Sequence, residues 1–166
     1  MKRLLFILML IPVFSFGQFT EIPDKNFEQA LIDLYYDNVI DGKVITANIS
    51  NVDSLDVSWY EISDLTGIEA FDSLTKLYCH NNKITSLDVS NNTALTYLHC
   101  FDNQLKTLDV SKNTALKFLL CSVNKLTTLD VSKNTSLTYL ECWYNNFDCD
   151  ALKAKYIIKD TVDVWD

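Results

Sequence analysis

A chain of 166 residues sets an expectation of one domain, and its 48% hydrophobic and 22% charged residues exclude a disordered chain. The formal charge of −8 gives a surface that repels phosphate backbones and anionic lipid heads, so nucleic acid is not an expected partner. Only 3 Gly are present and neither GxGxxG nor a P-loop motif occurs, which removes most nucleotide-dependent enzymes.

Residues 1–17 read as a secretory signal peptide. Lys2 and Arg3 form a basic start, Leu4 to Phe14 is an apolar run, and Ser15 and Gly17 supply small residues before a cut ahead of Gln18. The run falls short of the roughly 20 residues that span a bilayer, and nothing after Gln18 resembles a membrane span. The expected location is secreted, extracellular or at the cell surface, with the periplasm as the alternative compartment.

Residues 18–51 read as an N-terminal cap. Pro23-Asp24 starts a helix with Phe27, Leu31 and Leu34 on one face. Asp37 to Gly42 faintly resembles a calcium loop, but Val39 and Asn48 stand where oxygen-rich ligands belong, so a tight turn at Asp41-Gly42 is the better reading.

Residues 52–147 are a repeat region. At a spacing of 21, four segments align: Leu74 to Asn82, Leu95 to Asn103, Leu116 to Asn124 and Leu137 to Asn145. Each follows LxxLxCxxN and continues to an apolar residue (Ile84, Leu105, Leu126, Phe147), the leucine-rich-repeat pattern with Cys in the third apolar slot. Leu77-Tyr78-Cys79 alternates inward, outward, inward, which is a short strand. Coils stacked at about 4.8 Å would place these strands in a parallel sheet. Asn82, Asn103, Asn124 and Asn145 sit where the chain leaves the strand, and are read as a structural ladder bonding the backbone of two coils. Ten residues on, Leu87-x-Val89, Leu108-x-Val110 and Leu129-x-Val131 repeat the frame, which predicts strands on a second wall and little helix in the coils. Upstream, Val52, Leu55, Val57 and Ile62 keep the frame with Tyr60 in the Asn slot, and Ile62 to Phe71 is expected to form a helical turn.

The run IxDLxGIxxFxxLxxL followed by LDVSxNTxLxxLxC resembles secreted bacterial leucine-rich-repeat proteins, with a first coil like that of internalins. The resemblance covers residues 48–147 and implies a non-catalytic interaction or adhesion module.

Residues 148–166 read as a C-terminal cap, with a helix from Asp148 to Lys159 bearing Leu152 and Tyr156 on one side and a last strand at 161–165. The stacked cysteines Cys79, Cys100, Cys121 and Cys142 are expected as free buried thiols, because parallel in-register neighbours point the same way. A Cys142–Cys149 bridge has the weaker claim. Asp53-Ser54-Leu55, Asp72-Ser73-Leu74 and Asp160-Thr161-Val162 weakly resemble secretory O-glycosylation contexts.

Outward positions of the strand wall vary from coil to coil: Lys76, Tyr97, Phe118 and Tyr139; Tyr78, His99, Leu120 and Glu141; His80, Phe101, Ser122 and Trp143, with Tyr144 beside it. Aromatic rows give large contact area at low entropy cost, so all of these except Ser122 are read as the ligand-binding face, with Tyr97, Phe101, Phe118, Tyr139 and Trp143 exposed in one patch. His80 and His99 should lie diagonally close. The stacked Asp88, Asp109 and Asp130 need compensation, which neighbouring Ser, Thr and Lys can supply without metal. No nucleophile motif or cofactor loop is found, so no catalytic residue, metal or cofactor is expected. The leading reading is an exported, monomeric module that binds a protein or a glycan. The other reading is a structural or self-assembling extracellular protein.

Overall fold

The computed structural model describes residues 18–156. The export segment and the strand expected at 161–165 lie outside these residues, as do Thr161 and the end of the helix expected to reach Lys159.

The chain opens with β1 (Phe19–Glu21), α1 (Lys25–Asp33), β2 (Lys43–Ile45) and the one-turn α2 (Thr46–Ile49). β1 and β2 pair antiparallel, a small sheet that the sequence pattern does not announce. Asp24 caps α1 as expected: its Oδ1 accepts the N–H groups of Asn26 and Phe27 at 2.9 and 3.1 Å. Phe27 and Leu31 point into the core and Leu34 packs at its edge.

The turn at Asp41-Gly42 closes on a group that sequence reading overlooks. Glu28 is fully buried on α1, and its Oε1 accepts the N–H groups of Asp41, Gly42 and Lys43 at 2.8, 2.6 and 3.2 Å. The calcium-like loop is thus folded around the chain's own carboxylate. Gly42 takes φ +84°, which suits glycine at this turn.

β3 (Ser54–Asp56), β4 (Lys76–Tyr78), β5 (Tyr97–His99), β6 (Phe118–Leu120) and β7 (Tyr139–Glu141) form one parallel sheet in that order. The register steps by one coil, for example Leu55↔Leu77, Leu77↔Leu98 and Leu98↔Leu119. These Leu residues are fully buried, as are Cys79, Cys100, Cys121 and Cys142 beside them. The expected helical turn is a single 3₁₀ turn at Ile68–Ala70, preceded by Gly67 at φ 107°. A Cβ on Gly67 would collide with Ile22 Cδ1 and sit 2.8 Å from the Glu21 carbonyl, so glycine lets the cap dock on the first coil.

The second wall corrects one expectation. Leu87, Val89 and their equivalents do point inward, but the segments carry no strand among the described residues. Side chains replace the missing backbone ladder. Asn113 Nδ2 donates to the carbonyls of Val89 and Asn92 at 2.9 Å each, and Asn134 repeats the pattern one coil later with Val110 and Asn113. A turn from Val110 to Asn113 follows at once, leaving too short an extended stretch for pairing. The Oδ1 atoms of Asn92, Asn113 and Asn134 are buried and accept no hydrogen bond from the described residues.

The cysteine row holds the other correction. Cys79, Cys100 and Cys121 are free and buried, with burial raising Cys100 to about 12 and the other two well above the ordinary thiol range. Cys142 instead bridges Cys149. The same-direction argument holds only within the stack. Cys149 begins α3 (Cys149–Tyr156), which folds back over the last coil and meets Cys142 from outside the row.

Candidate ligand-binding face

Period-2 alternation places the outward residues of β3 to β7 on one wall, directly opposite their register partners. Position three forms a continuous aromatic row. Ring centroids are 5.7 Å apart for Tyr97–Phe118 and 6.2 Å for Phe118–Tyr139, with Tyr78 leaning in at 4.9 Å from Tyr97. Interplanar angles of 37–43° make these tilted contacts.

Such packing corrects the expected exposure. Tyr97, Phe101, Phe118 and Tyr139 are half-buried, because each ring covers the face of the next, while Trp143 is exposed. Tyr78, His80, His99, Leu120 and Glu141 are half-buried too, and Lys76 stands exposed at the edge. Tyr139 Oη bonds the Glu141 carboxylate on its own strand. Ser122 is buried, where its Oγ accepts the Trp143 N–H at 3.1 Å. The Lys153 Nζ lies 3.9 Å above the Trp143 ring, so α3 touches the end of the face.

His80 and His99 come together as their positions require, stacked at 4.1 Å with an interplanar angle of 20°. The His80 Nδ1 is 2.8 Å from Ser58 Oγ. Burial holds the His99 imidazole down at about 4, with the neighbouring His80 adding to the effect and Asp56 opposing it. Burial lowers His80 as well, again against Asp56. Two cofacial imidazoles, each favoured neutral, contribute flat apolar area at neutral pH. Burial, then Tyr78 and Glu141, raise Tyr97, which therefore stays a protonated donor. The described residues hold no cluster of three or more His, Cys, Asp or Glu able to bind a metal.

The Asn row lies beneath this face. Asn103 Nδ2 donates to the carbonyls of Cys79 at 3.0 Å and Cys100 at 3.2 Å, and its Oδ1 accepts the Ile84 N–H at 3.0 Å. Asn82, Asn124 and Asn145 repeat the arrangement one coil apart. These amides stiffen the turn that carries positions seven and eight. One aromatic of that turn escaped sequence reading: Trp59, which is 72% exposed and meets the edge of His80 at 6.4 Å. Its coil keeps the apolar frame but lacks the LxxLxCxxN signature, with Tyr60 in the Asn slot, so the rows of outward positions counted from that signature do not include it.

On the opposite wall, Asp88, Asp109 and Asp130 each accept the N–H of the Ser two residues on at 2.8–2.9 Å. Hydrogen bonds from Ser90 and Ser111 lower Asp88 and Asp109 below the usual carboxylate range. Serine supplies compensation there, as the composition of that wall suggests.

A family model for leucine-rich repeats in two copies matches residues 72–113. Internalin J of Listeria monocytogenes is 45% identical over 71 residues, which cover 43% of this chain and 8% of that protein. The solved functional domain of InlJ from Listeria monocytogenes, described as including a cysteine ladder, aligns with a TM-score of 0.71 at 43% identity, covering 78% of this chain and 29% of that one. A Listeria monocytogenes internalin, InlF, aligns with a TM-score of 0.65 at 18% identity over 82% of this chain and 48% of its own, a likeness of fold. The chain therefore spans less than a third of the InlJ structure and under a tenth of the curated internalin.

Proposed function

We propose that this chain, whose repeats resemble those of Listeria monocytogenes internalins, is an exported recognition and adhesion module whose strand wall binds a protein or glycan. The observation that carries this reading is the contrast between the walls. One repeats Leu-Asp-Val-Ser almost unchanged, while the other changes its outward residue in every coil and fills it with aromatic rings. A row serving stability alone has no need to vary from Lys76 to Phe118 or from His80 to Trp143. Half-buried rings held against one another lose little freedom on binding, which favours affinity.

In this reading residues 52–147 form the solenoid, 18–51 and 148–166 cap it, and 1–17 direct export. No helix among the described residues is long and apolar enough to cross a membrane. Catalysis forms no part of the proposal.

The test is affinity capture from the native extracellular milieu with the immobilised mature chain, its Phe118→Ala variant and its Trp143→Ala variant. Wild type should retain a partner that both variants lose while melting near wild type. Equal capture by all three would refute the assignment. Light scattering across a concentration series addresses the self-assembly reading, for which mass would rise with concentration.

A further inference from the structure

The eighth residue of every coil turns the chain out of the strand in the left-handed region: Trp59 at φ 69°, Asn81 at 54°, Asp102 at 50°, Val123 at 54° and Tyr144 at 53°. Asn and Asp enter this region readily, whereas β-branched and bulky side chains do so under strain. Three of the five coils therefore carry a residue type that the turn disfavours. The fold gains little in return at the two ends, since Trp59 is 72% and Tyr144 is 84% exposed. Local strain without a packing gain is a mark of a functional position.

These five residues stand in register. The N–H groups of Trp59, Asn81, Asp102 and Val123 each donate to the carbonyl of the seventh residue of the next coil, at 3.2, 2.9, 3.0 and 2.9 Å. At about 4.8 Å per coil, Trp59 and Tyr144 stand roughly 19 Å apart along one rim of the sheet. Between them Asn81 Nδ2 donates to Asp102 Oδ2 at 3.0 Å, holding a planar amide–carboxylate pair at the surface.

We propose that this rim is a carbohydrate-binding row for an extended neutral glycan, with Trp59 and Tyr144 as stacking platforms at its ends and Asn81 and Asp102 as hydroxyl-binding groups between. The proposal rests on the recognition reading above and chooses the ligand class. A pyranose presents a flat C–H face to an aromatic ring and hydroxyls at its edge, which matches open rings flanking a planar polar pair. Protein hot spots favour aromatics seated in well-packed, desolvated pockets, and rings this open are not so seated. A β-linked hexopyranose chain repeats at close to the strand spacing, so it can place about one ring per coil. Charge calls for no acidic sugar, because two acids and two lysines balance along this edge. Asp102 and Glu61 line this edge, and the neighbouring cations are engaged: Lys83 with Glu61 at 3.0 Å and Lys125 with Gln104 at 3.1 Å.

Isothermal titration with cellopentaose, chitopentaose and laminaripentaose as neutral probes, and a hyaluronan hexasaccharide as the acidic one, tests this directly. At least one neutral probe should bind the folded chain and the acidic one should not. Trp59→Asn and Tyr144→Asn should each weaken binding at least tenfold and leave the melting temperature unchanged or higher, because Asn suits the turn. No binding of any neutral probe would overturn the proposal, and so would a melting temperature lowered by both Asn variants. If Phe118→Ala abolishes capture of a partner that both Asn variants retain, the rim assignment falls and the wall reading stands. If the Asn variants lose the probe and Phe118→Ala retains it, the rim is the site.

Discussion

The two walls of the solenoid bury the same kind of residue and differ in how they hold their backbone. The strand wall pairs main chain with main chain across five coils and lets its outward side chains vary. The opposite wall has no ladder, and instead uses Asn92, Asn113 and Asn134 as side-chain rungs and Asp–Ser turns as braces. A wall whose geometry depends on side chains cannot vary them freely. Where the backbone supplies the bonds, outward positions are available for recognition.

The largest expected effect tests what both walls share. Leu119 is fully buried between them, and Leu119→Ala should cost about 2–5 kcal/mol by opening a cavity, read by denaturant unfolding. The two Asn rows then separate the walls. Asn103→Ala strands the buried Ile84 N–H and takes one of two Asn donors from each of the Cys79 and Cys100 carbonyls, which keep Asn82 and Asn124, for a cost of about 2 kcal/mol. Asn113→Ala strands no group, because the Val89 and Asn92 carbonyls keep the N–H groups of Asn92 and Leu95, and it removes an oxygen that accepts nothing from the described residues, so about 1 kcal/mol is expected. Equal losses would erase the proposed distinction between backbone-held and side-chain-held walls.

Reduction of Cys142–Cys149 opens a short loop and should lower stability by about 2 kcal/mol, seen as a fall in melting temperature with a dithiol reductant. The same reductant should leave a Cys142→Ser, Cys149→Ser variant unmoved. Acid should act on the strand wall through His99. Its folded-state value near 4 lies below the ordinary 6.5, so the unfolded chain takes up protons first as pH falls. Stability should therefore be full above pH 6.5, decline down to about 4, and level off below that, with His80 adding in the same sense. Asp88 and Asp109, whose carboxyls are lowered, act only at still more acid pH. His99→Phe should flatten the decline between 6.5 and 4 in a pH series of melting temperatures. The smallest effect belongs to Phe118→Ala, about 1 kcal/mol from lost ring contacts with Tyr97 and Tyr139.

Period and frame made the strand wall legible. Leu77, Leu98 and Leu119 recur at 21, and one extended turn suffices to place their neighbours outward. The stack of His80 on His99 follows from the same arithmetic. Period alone does not say whether an extended segment pairs. Leu87-x-Val89 has the alternation of a strand, and only the turn into Asn92 denies it partners. Alternation also gives direction without giving accessibility, and the outward-pointing rings cover one another. The bridge to Cys149 and the Glu28 carboxylate beneath the Asp41-Gly42 turn come from non-repeating segments, where tertiary contacts decide and no period exists to read. Trp59 lies in a coil that keeps the apolar frame but has Tyr60 in the Asn slot, so the 21-residue signature does not extend to its outward positions.

The central claim is that recognition belongs to the strand wall and scaffolding to the other. A matched pair of outward substitutions measures it most directly: Phe118→Ala on the strand wall and Asp109→Ala on the opposite wall. Both are titrated against the partner that the wild-type chain captures, with melting temperatures recorded alongside. Phe118→Ala should weaken binding by about 2 kcal/mol or more at a modest cost in stability, and Asp109→Ala should leave binding unchanged. Full binding by Phe118→Ala together with loss of binding by Asp109→Ala would contradict the account.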